Sequence, residues 1–421
     1  MFTSLFHRLR IISRELWVRV LLIATLSVLS VLMARVIGPL IPTGFADMIG
    51  ASAVDRLLDI LATSMLAVTT FSLSVMVSIH RAISSQWTPR AHRIQQRDRS
   101  TQMVLATFVG AFIYALASIV LRATPYFNEN DIVVLFAMTL LVLVLVVVMI
   151  LRWILRLQTM GSLVDIADNV AALTQESVLA QMARPCHGAE ELSNDIVIPS
   201  GSTGIYAEKS GYVQRIFPAA IDEKAKGCGG LVYVLHTVGD HLNKGDTIAQ
   251  ISDPTLEKAV RRNVQIGAMR DIDQDPELGM LIMAEIASKA LSPGVNDSST
   301  ATDMLDRMTG VIQSWDGPRH APVQPAIYRR VYIPALDPAR LMVDSFGLVA
   351  RDGAAVFEVQ RCLQSRLASL ARHGDKKIAH AARLIATEAM IRAQDCIGHQ
   401  IDSDALRDHV DSLAQTNQPT S

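Results

Sequence analysis

The sequence predicts an α-helical membrane protein with four transmembrane helices followed by a soluble α+β region, and three observations carry that expectation. Half of the 421 residues are hydrophobic and only 19% are charged. The mean hydropathy of +0.30 is too high for a soluble chain of this size. The apolar excess is gathered before residue 155, whereas the later part mixes Asp, Glu, Lys and Arg as a globular domain does. At roughly one domain per 150 residues such a chain should divide. The expected parts are a transmembrane domain over 1–155, a coupling helix and linker over 156–194, a β-rich barrel-sandwich-like module over 195–252, and a mainly helical domain over 253–421.

A helix rises 1.5 Å per residue, so about 20 apolar residues cross about 30 Å of hydrocarbon. Leu16–Ile37, Leu57–Ile79, Met103–Leu121 and Ile132–Ile154 meet that length. The first lacks a small-residue cleavage site and precedes three more spans, so it reads as an anchor rather than a removed signal. Basic residues flank the spans on one side: Arg8, Arg10 and Arg14, then Arg81, Arg90, Arg93, Arg97 and Arg99, then Arg152 and Arg156. Because Lys and Arg are retained on the cytoplasmic side, both termini of this multi-pass chain are expected in the cytoplasm.

The spans differ in which faces they offer. In the second, Thr63, Thr70, Ser74 and Ser78 fall on one side of a helix. In the third, Thr107, Gly110, Ala111, Tyr114 and Ser118 form a comparable small and polar line, suited to close helix contact. The fourth is apolar all round and reads as lipid-facing. Two readings of the hydroxyl stripe stay open: glue between helices, or the lining of a pore. No Asp, Glu, Lys or His lies mid-span, where ion and proton pathways declare themselves.

The soluble part opens with apolar residues at helical spacing over Met160–Ala183, a coupling helix halted before Pro185. From Asp195 to Ile251, short runs (IVIP, SGYVQRI, GLVYVLHTV, DTIAQI) between Gly, Pro and Asp turns predict about five strands. Helical patterns then dominate to the end, broken by one strand candidate at Tyr328–Ile333. Carboxylates crowd between Arg270 and Asp306, and Asp273, Asp275, Glu277 and Asp297 are the candidates for holding a divalent cation. The simpler reading makes them helix caps: Asp273-Gln-Asp-Pro-Glu starts a helix, Ser292-Pro-Gly ends it, and Asn296 or Asp297 caps the next.

Several function classes are set aside. A formal net charge of -1 removes the basic balance of a nucleic-acid partner. Four widely spaced cysteines, at 186, 228, 362 and 396, form no C-x-x-C pair and read as reduced structural thiols. No nucleophile elbow, Walker A or dinucleotide fingerprint occurs, so neither an enzyme nor a cofactor is expected. Lys244 sits in a Lys-Gly-Asp turn rather than at the hairpin tip of an acyl-carrier module.

Three stretches are distinctive: Gln86-Trp87-Thr88-Pro89-Arg90-Ala91 with Arg97-Asp98-Arg99 and Gly110-Ala111-Phe112-Ile113-Tyr114; Ser210-Gly211-Tyr212-Val213-Gln214 with Val238-Gly239-Asp240; and Asp273-Gln274-Asp275-Pro276-Glu277 with Ala290-Leu291-Ser292-Pro293-Gly294-Val295-Asn296-Asp297. Together they resemble the DUF2254 family of predicted bacterial membrane proteins. The resemblance implies a membrane protein and supplies no catalytic or binding residue. The expected role is a homo-oligomeric, channel-like assembly in the lipid bilayer, gated or assembled by its cytoplasmic part, with the ion or small ligand unassigned. The alternatives are a membrane-anchored scaffold or ligand sensor and, third, a metal-dependent membrane-bound enzyme.

Overall fold

The computed structural model describes residues 51–86, 88–96, 99–123, 131–159, 162–315 and 325–416, with scattered helical positions between Val18 and Val36. The expected first span, Leu16–Ile37, therefore lies outside the continuously described residues. The chain divides into two compact units, one of residues 1–86 and 92–165 and the other of residues 87–91 and 166–421.

The first unit is helical. Its long elements are α1 (Ala51–Gln86), the short α2 (Pro89–Gln96) that leads out of the 87–91 segment, α3 (Arg99–Arg122) and α4 (Asp131–Thr159). Three stretches among the described residues are long and apolar enough to cross a membrane: Ser52–Ile79, Thr101–Arg122 and Ile132–Gln158. Each contains the span expected from the sequence. A core of Leu58, Leu61, Met65, Phe108, Tyr114, Leu135, Val142 and Val146 joins all three. On α4 the buried residues Leu135, Thr139, Val142, Val146, Met149 and Trp153 recur every three or four positions, so one face packs on its neighbours. The expected lipid-facing helix α4 thus also has a packing face, which its all-apolar sequence hides because hydrocarbon and protein interior select the same residues.

The second unit begins with α5 (Leu163–Ala183), whose Ile166, Val170, Thr174, Ser177 and Val178 form a buried stripe. Pro185–Gly188 makes a tight turn, and β1 (Ala189–Glu191), β2 (Thr203–Tyr206) and β3 (Gly211–Ile216) follow. Next come α6 (Pro218–Cys228), β4 (Val232–Val234), β5 (His241–Leu242), β6 (Thr247–Ile251), α7 (Glu257–Asn263) and β7 (Val264–Gly267). The strands pair in two sheets, a five-stranded one ordered β1-β8-β4-β6-β2 and a three-stranded one ordered β5-β3-β7, where β8 is Tyr328–Ile333. Five strands do fall between residues 195 and 251, but the IVIP run is not one of them. Pro199 ends that run, and proline cannot donate to a ladder. The strand β8 pairs parallel with both β1 and β4, so the larger sheet is completed from about 80 residues downstream of β6. Its core holds Ile205, Val213, Ile216, Ile221, Val232, Val234, Ala249, Ile251 and Val331.

The rest is helical: α8 (Pro276–Ala290), α9 (Ser298–Gln313), α10 (Pro338–Asp352), α11 (Phe357–Leu370), α12 (Lys376–Cys396) and α13 (Gln400–Thr416). The helix α8 packs against both α9 and α10, and eleven of its residues are buried. Methionines 280, 283, 304, 308 and 342 fill its surroundings, as flexible thioethers do in irregular gaps.

Candidate functional site

The polar lines of the two membrane helices part company. On α3, Thr107, Gly110, Ala111, Tyr114 and Ser118 are all buried. Tyr114 Oη lies 3.2 Å from Thr139 Oγ1 of α4, a hydrogen bond between helices, while Thr107 donates to Met103 O in its own helix. Ser118 Oγ is buried without a hydrogen-bond partner among the described residues. On α1, by contrast, Thr63, Thr70, Ser74 and Ser78 are all exposed. Thr70 satisfies its hydroxyl on Leu66 O and Ala67 O of its own helix. The α3 line is thus a helix contact, and the α1 line faces out of the bundle. Arg122 at the end of α3 pairs with Asp55 near the start of α1, and Arg156 near the far end of α4 meets Asp165 at 3.2 Å.

The carboxylate-rich segment resolves into a network of arginines drawn from distant parts of the second unit. Arg270 grips Asp275 through both oxygens, Nε to Oδ2 and Nη2 to Oδ1, each at 2.6 Å. The same Nη2 reaches Glu277 Oε2 at 3.3 Å, and Arg340 Nε of α10 reaches Glu277 Oε1 at 3.3 Å. Asp240 stands beside Arg340 at 3.6 Å and also accepts from the Thr237 amide and hydroxyl. Arg215 of β3 holds Asp271 at 2.7 Å and pairs with Asp273. Gln274 clasps the backbone of Ile216, accepting from its N–H and donating to its carbonyl.

Burial raises the Asp275 and Glu277 carboxyls above the ordinary range, opposed by Arg270 on both and by Arg340 on Glu277. Burial also works against the charge of Arg270, and its bonds to Asp275 and Glu277 outweigh that, raising its pKa. Removing one member of such a network leaves the others charged and unpaired in a dry place.

The four residues proposed for a cation are each engaged elsewhere. Asp275 also caps α8 by accepting from Leu278 N, and Asp297 caps α9 by accepting from Thr300 N. Asp273 and Glu277 face arginines, and among the described residues no group of three or more His, Cys, Asp or Glu is placed to hold a metal ion. The capping reading holds for Asp275 and Asp297, and the carboxylates serve the seam between the strands and α8.

Segments far apart in the chain meet at that seam. Gly239, at φ +99°, leaves room for the Arg270–Asp275 pair: a Cβ there would stand 2.6 Å from Arg270 Nη2 and 2.9 Å from Asp275 Oδ2. A Cβ on Gly211 would meet Gly267 O at 2.6 Å, so β3 and β7 need that glycine to pair. In the 87–91 segment, Thr88 Oγ1 accepts from Ala91 N, and Arg90 pairs with Glu285 of α8. Within the second unit, parts of the distinctive stretches, Arg90, Gly239 and Asp275, therefore meet around α8. A family model described as "Predicted membrane protein (DUF2254)" matches residues 13–369. The chain belongs to this family. Among relatives of this DUF2254 protein are the uncharacterized proteins Mb1321c of Mycobacterium bovis and Rv1290c of Mycobacterium tuberculosis. Each is 26% identical over 252 residues, covering 57% of this chain and 48% of the relative. The chain thus spans about half the length of these curated relatives. No solved structure matches it.

Proposed function

We propose that this DUF2254 protein is a homo-oligomer in the bacterial inner membrane, in which the hydroxyl-bearing face of α1 lines the contact between copies or a conduit at their centre. The observation that carries this reading is the exposure of Thr63, Thr70, Ser74 and Ser78 while the matching line on α3 is packed away. Only 17% of the apolar window of α1 is buried, against 56% for α3, so among the described spans α1 has the largest share left to cover. Between helices in lipid, small and hydroxyl residues permit close approach and supply hydrogen bonds. In this reading both termini are cytoplasmic, the soluble unit assembles or gates the membrane part through its barrel-sandwich-like strands, and the chain has no catalytic role.

The test is conductance of the purified protein in planar bilayers, together with its mass in mild detergent. The expected result is an oligomer with a current that Thr70→Leu and Ser74→Leu reduce severalfold. A strict monomer, or a current indifferent to both changes, overturns the reading and favours the anchored sensor.

A further inference from the structure

The second unit contains a cavity of about 400 Å³ between the C-terminal half of α5, the Pro185–Gly188 turn and the start of α6. It lies beside the Arg215–Asp273 pair rather than in the Arg270 network. Its walls combine an apolar side, from Ile216, Phe217 and Pro218, with a polar side from α5. That size and mixture are those of a small-molecule pocket.

We propose that this cavity binds a small organic oxyanion, a carboxylate or phosphate carried on an apolar body, with Arg184 as its counter-charge. Ser177 lines the cavity, is 3% exposed, and its Oγ has no hydrogen-bond partner among the described residues. A buried hydroxyl without a partner is costly, and a ligand oxygen removes that cost. The 11-residue helix α6 starts at the cavity wall with Pro218 at its first position, and no side chain caps it. Its first-turn N–H groups and the positive end of its dipole are therefore available to an anion.

Arg184 supplies a positive charge on the wall of the same cavity. Arg184 is exposed, and no ion pair engages it among the described residues. The carboxylate of Asp273, at the rim, is turned to Arg215, which it shares with Asp271. Burial lowers His187 to about 4, so its ring is neutral at pH 7 and adds no charge. Gln181 Nε2 lies 3.2 Å from His187 Nε2, an amide donating to an unprotonated ring nitrogen. One unmatched cation, one helix start and one orphan hydroxyl suit a singly charged head group, and the ring of Phe217 suits an apolar or aromatic body.

The experiment is calorimetric titration of the full-length protein in detergent with phenyl phosphate, benzoate and, as the uncharged control, phenol. Saturable binding of either anion, at least tenfold weaker in Arg184→Gln and unchanged in Arg262→Gln, supports the site, and the tighter anion names the head group. Ser177→Ala should weaken that anion about threefold to tenfold while raising the melting temperature of the ligand-free protein, since it removes an unsatisfied hydroxyl. Arg184 is exposed, so its replacement leaves the fold intact. Failure of both anions to bind, equal binding of phenol, or indifference to Arg184→Gln overturns the proposal.

Discussion

Thr174 of α5 stands directly over Gly279 of α8: a side-chain carbon at Gly279 would lie 2.8 Å from Thr174 Cβ and closer still to its hydroxyl. Both residues are buried, so neither helix can yield into solvent. Gly279→Ala should therefore destabilise the second unit by about 1–3 kcal/mol, the usual range for overpacking. Thermal unfolding in detergent checks this, and Thr174→Ala in the same chain should recover part of the loss. A Gly279→Ala protein as stable as the parent would mean that α5 is not seated there.

Arg270→Met should be more damaging, because it strands Asp275 in the interior and leaves Glu277 with Arg340 alone. Breaking one partner of a buried ionic group costs about 3–5 kcal/mol, whereas apolar replacement of the whole pair is often close to neutral. Urea unfolding of Arg270→Met and of the double change Arg270→Met/Asp275→Leu separates the two cases: the double variant should be the more stable.

His187 gives the soluble unit a pH dependence. Its ordinary value is 6.5 and its value in the fold is about 4, lowered by burial. Between these values the unfolded chain binds a proton that the folded chain refuses, so stability is complete above about pH 6.5 and declines as pH falls toward 4. Asp275 and Glu277, raised by burial, act in the opposite sense, so the comparison that isolates the imidazole is parent against His187→Gln. The variant should lose less stability than the parent between pH 6.5 and 4.5, as read by melting temperature.

The thiols should separate by reactivity. Cys186 is buried in the strand core, and burial raises it to about 12, with Glu191 and Glu190 adding to the effect. Cys228 and Cys396 are exposed. A maleimide added to the detergent-solubilised protein should label Cys228 and Cys396 within minutes and leave Cys186 untouched until the chain is unfolded. In sealed cells, an impermeant maleimide should reach Cys228 and Cys396 only after permeabilisation, if the soluble unit is cytoplasmic.

The three described membrane spans were legible in the sequence because hydrocarbon sets both their length and their composition; each is only a few residues longer than expected. The caps at Asp275 and Asp297 were legible for a related reason, since a cap is a local bond over three residues. Helix α6 was missed. Its PAAIDEKAKGC sequence lies between strand runs, and its signals, Pro218 at the first position and Gly229 at φ +74° just past the end, were read as loop punctuation. The partners of the carboxylates were out of reach for a different reason: Arg215 and Arg340 lie about 60 residues to either side of them, and nothing local announces the encounter. The same holds for Ser177, Arg184 and His187, which carry no motif and acquire meaning only when α5 and α6 stand across the same space.

The insertion of β8 between β1 and β4 has a consequence for synthesis. A ribosome delivers β1, β2, β4 and β6 well before Tyr328–Ile333 emerges, so two strand edges wait open in the meantime. Unpaired edges are templates for aggregation. Quality-control proteases would meet any product truncated before Ile333 as a chain whose sheet cannot close, and the interval until β8 arrives is when a nascent copy is most exposed to mispairing with its neighbour.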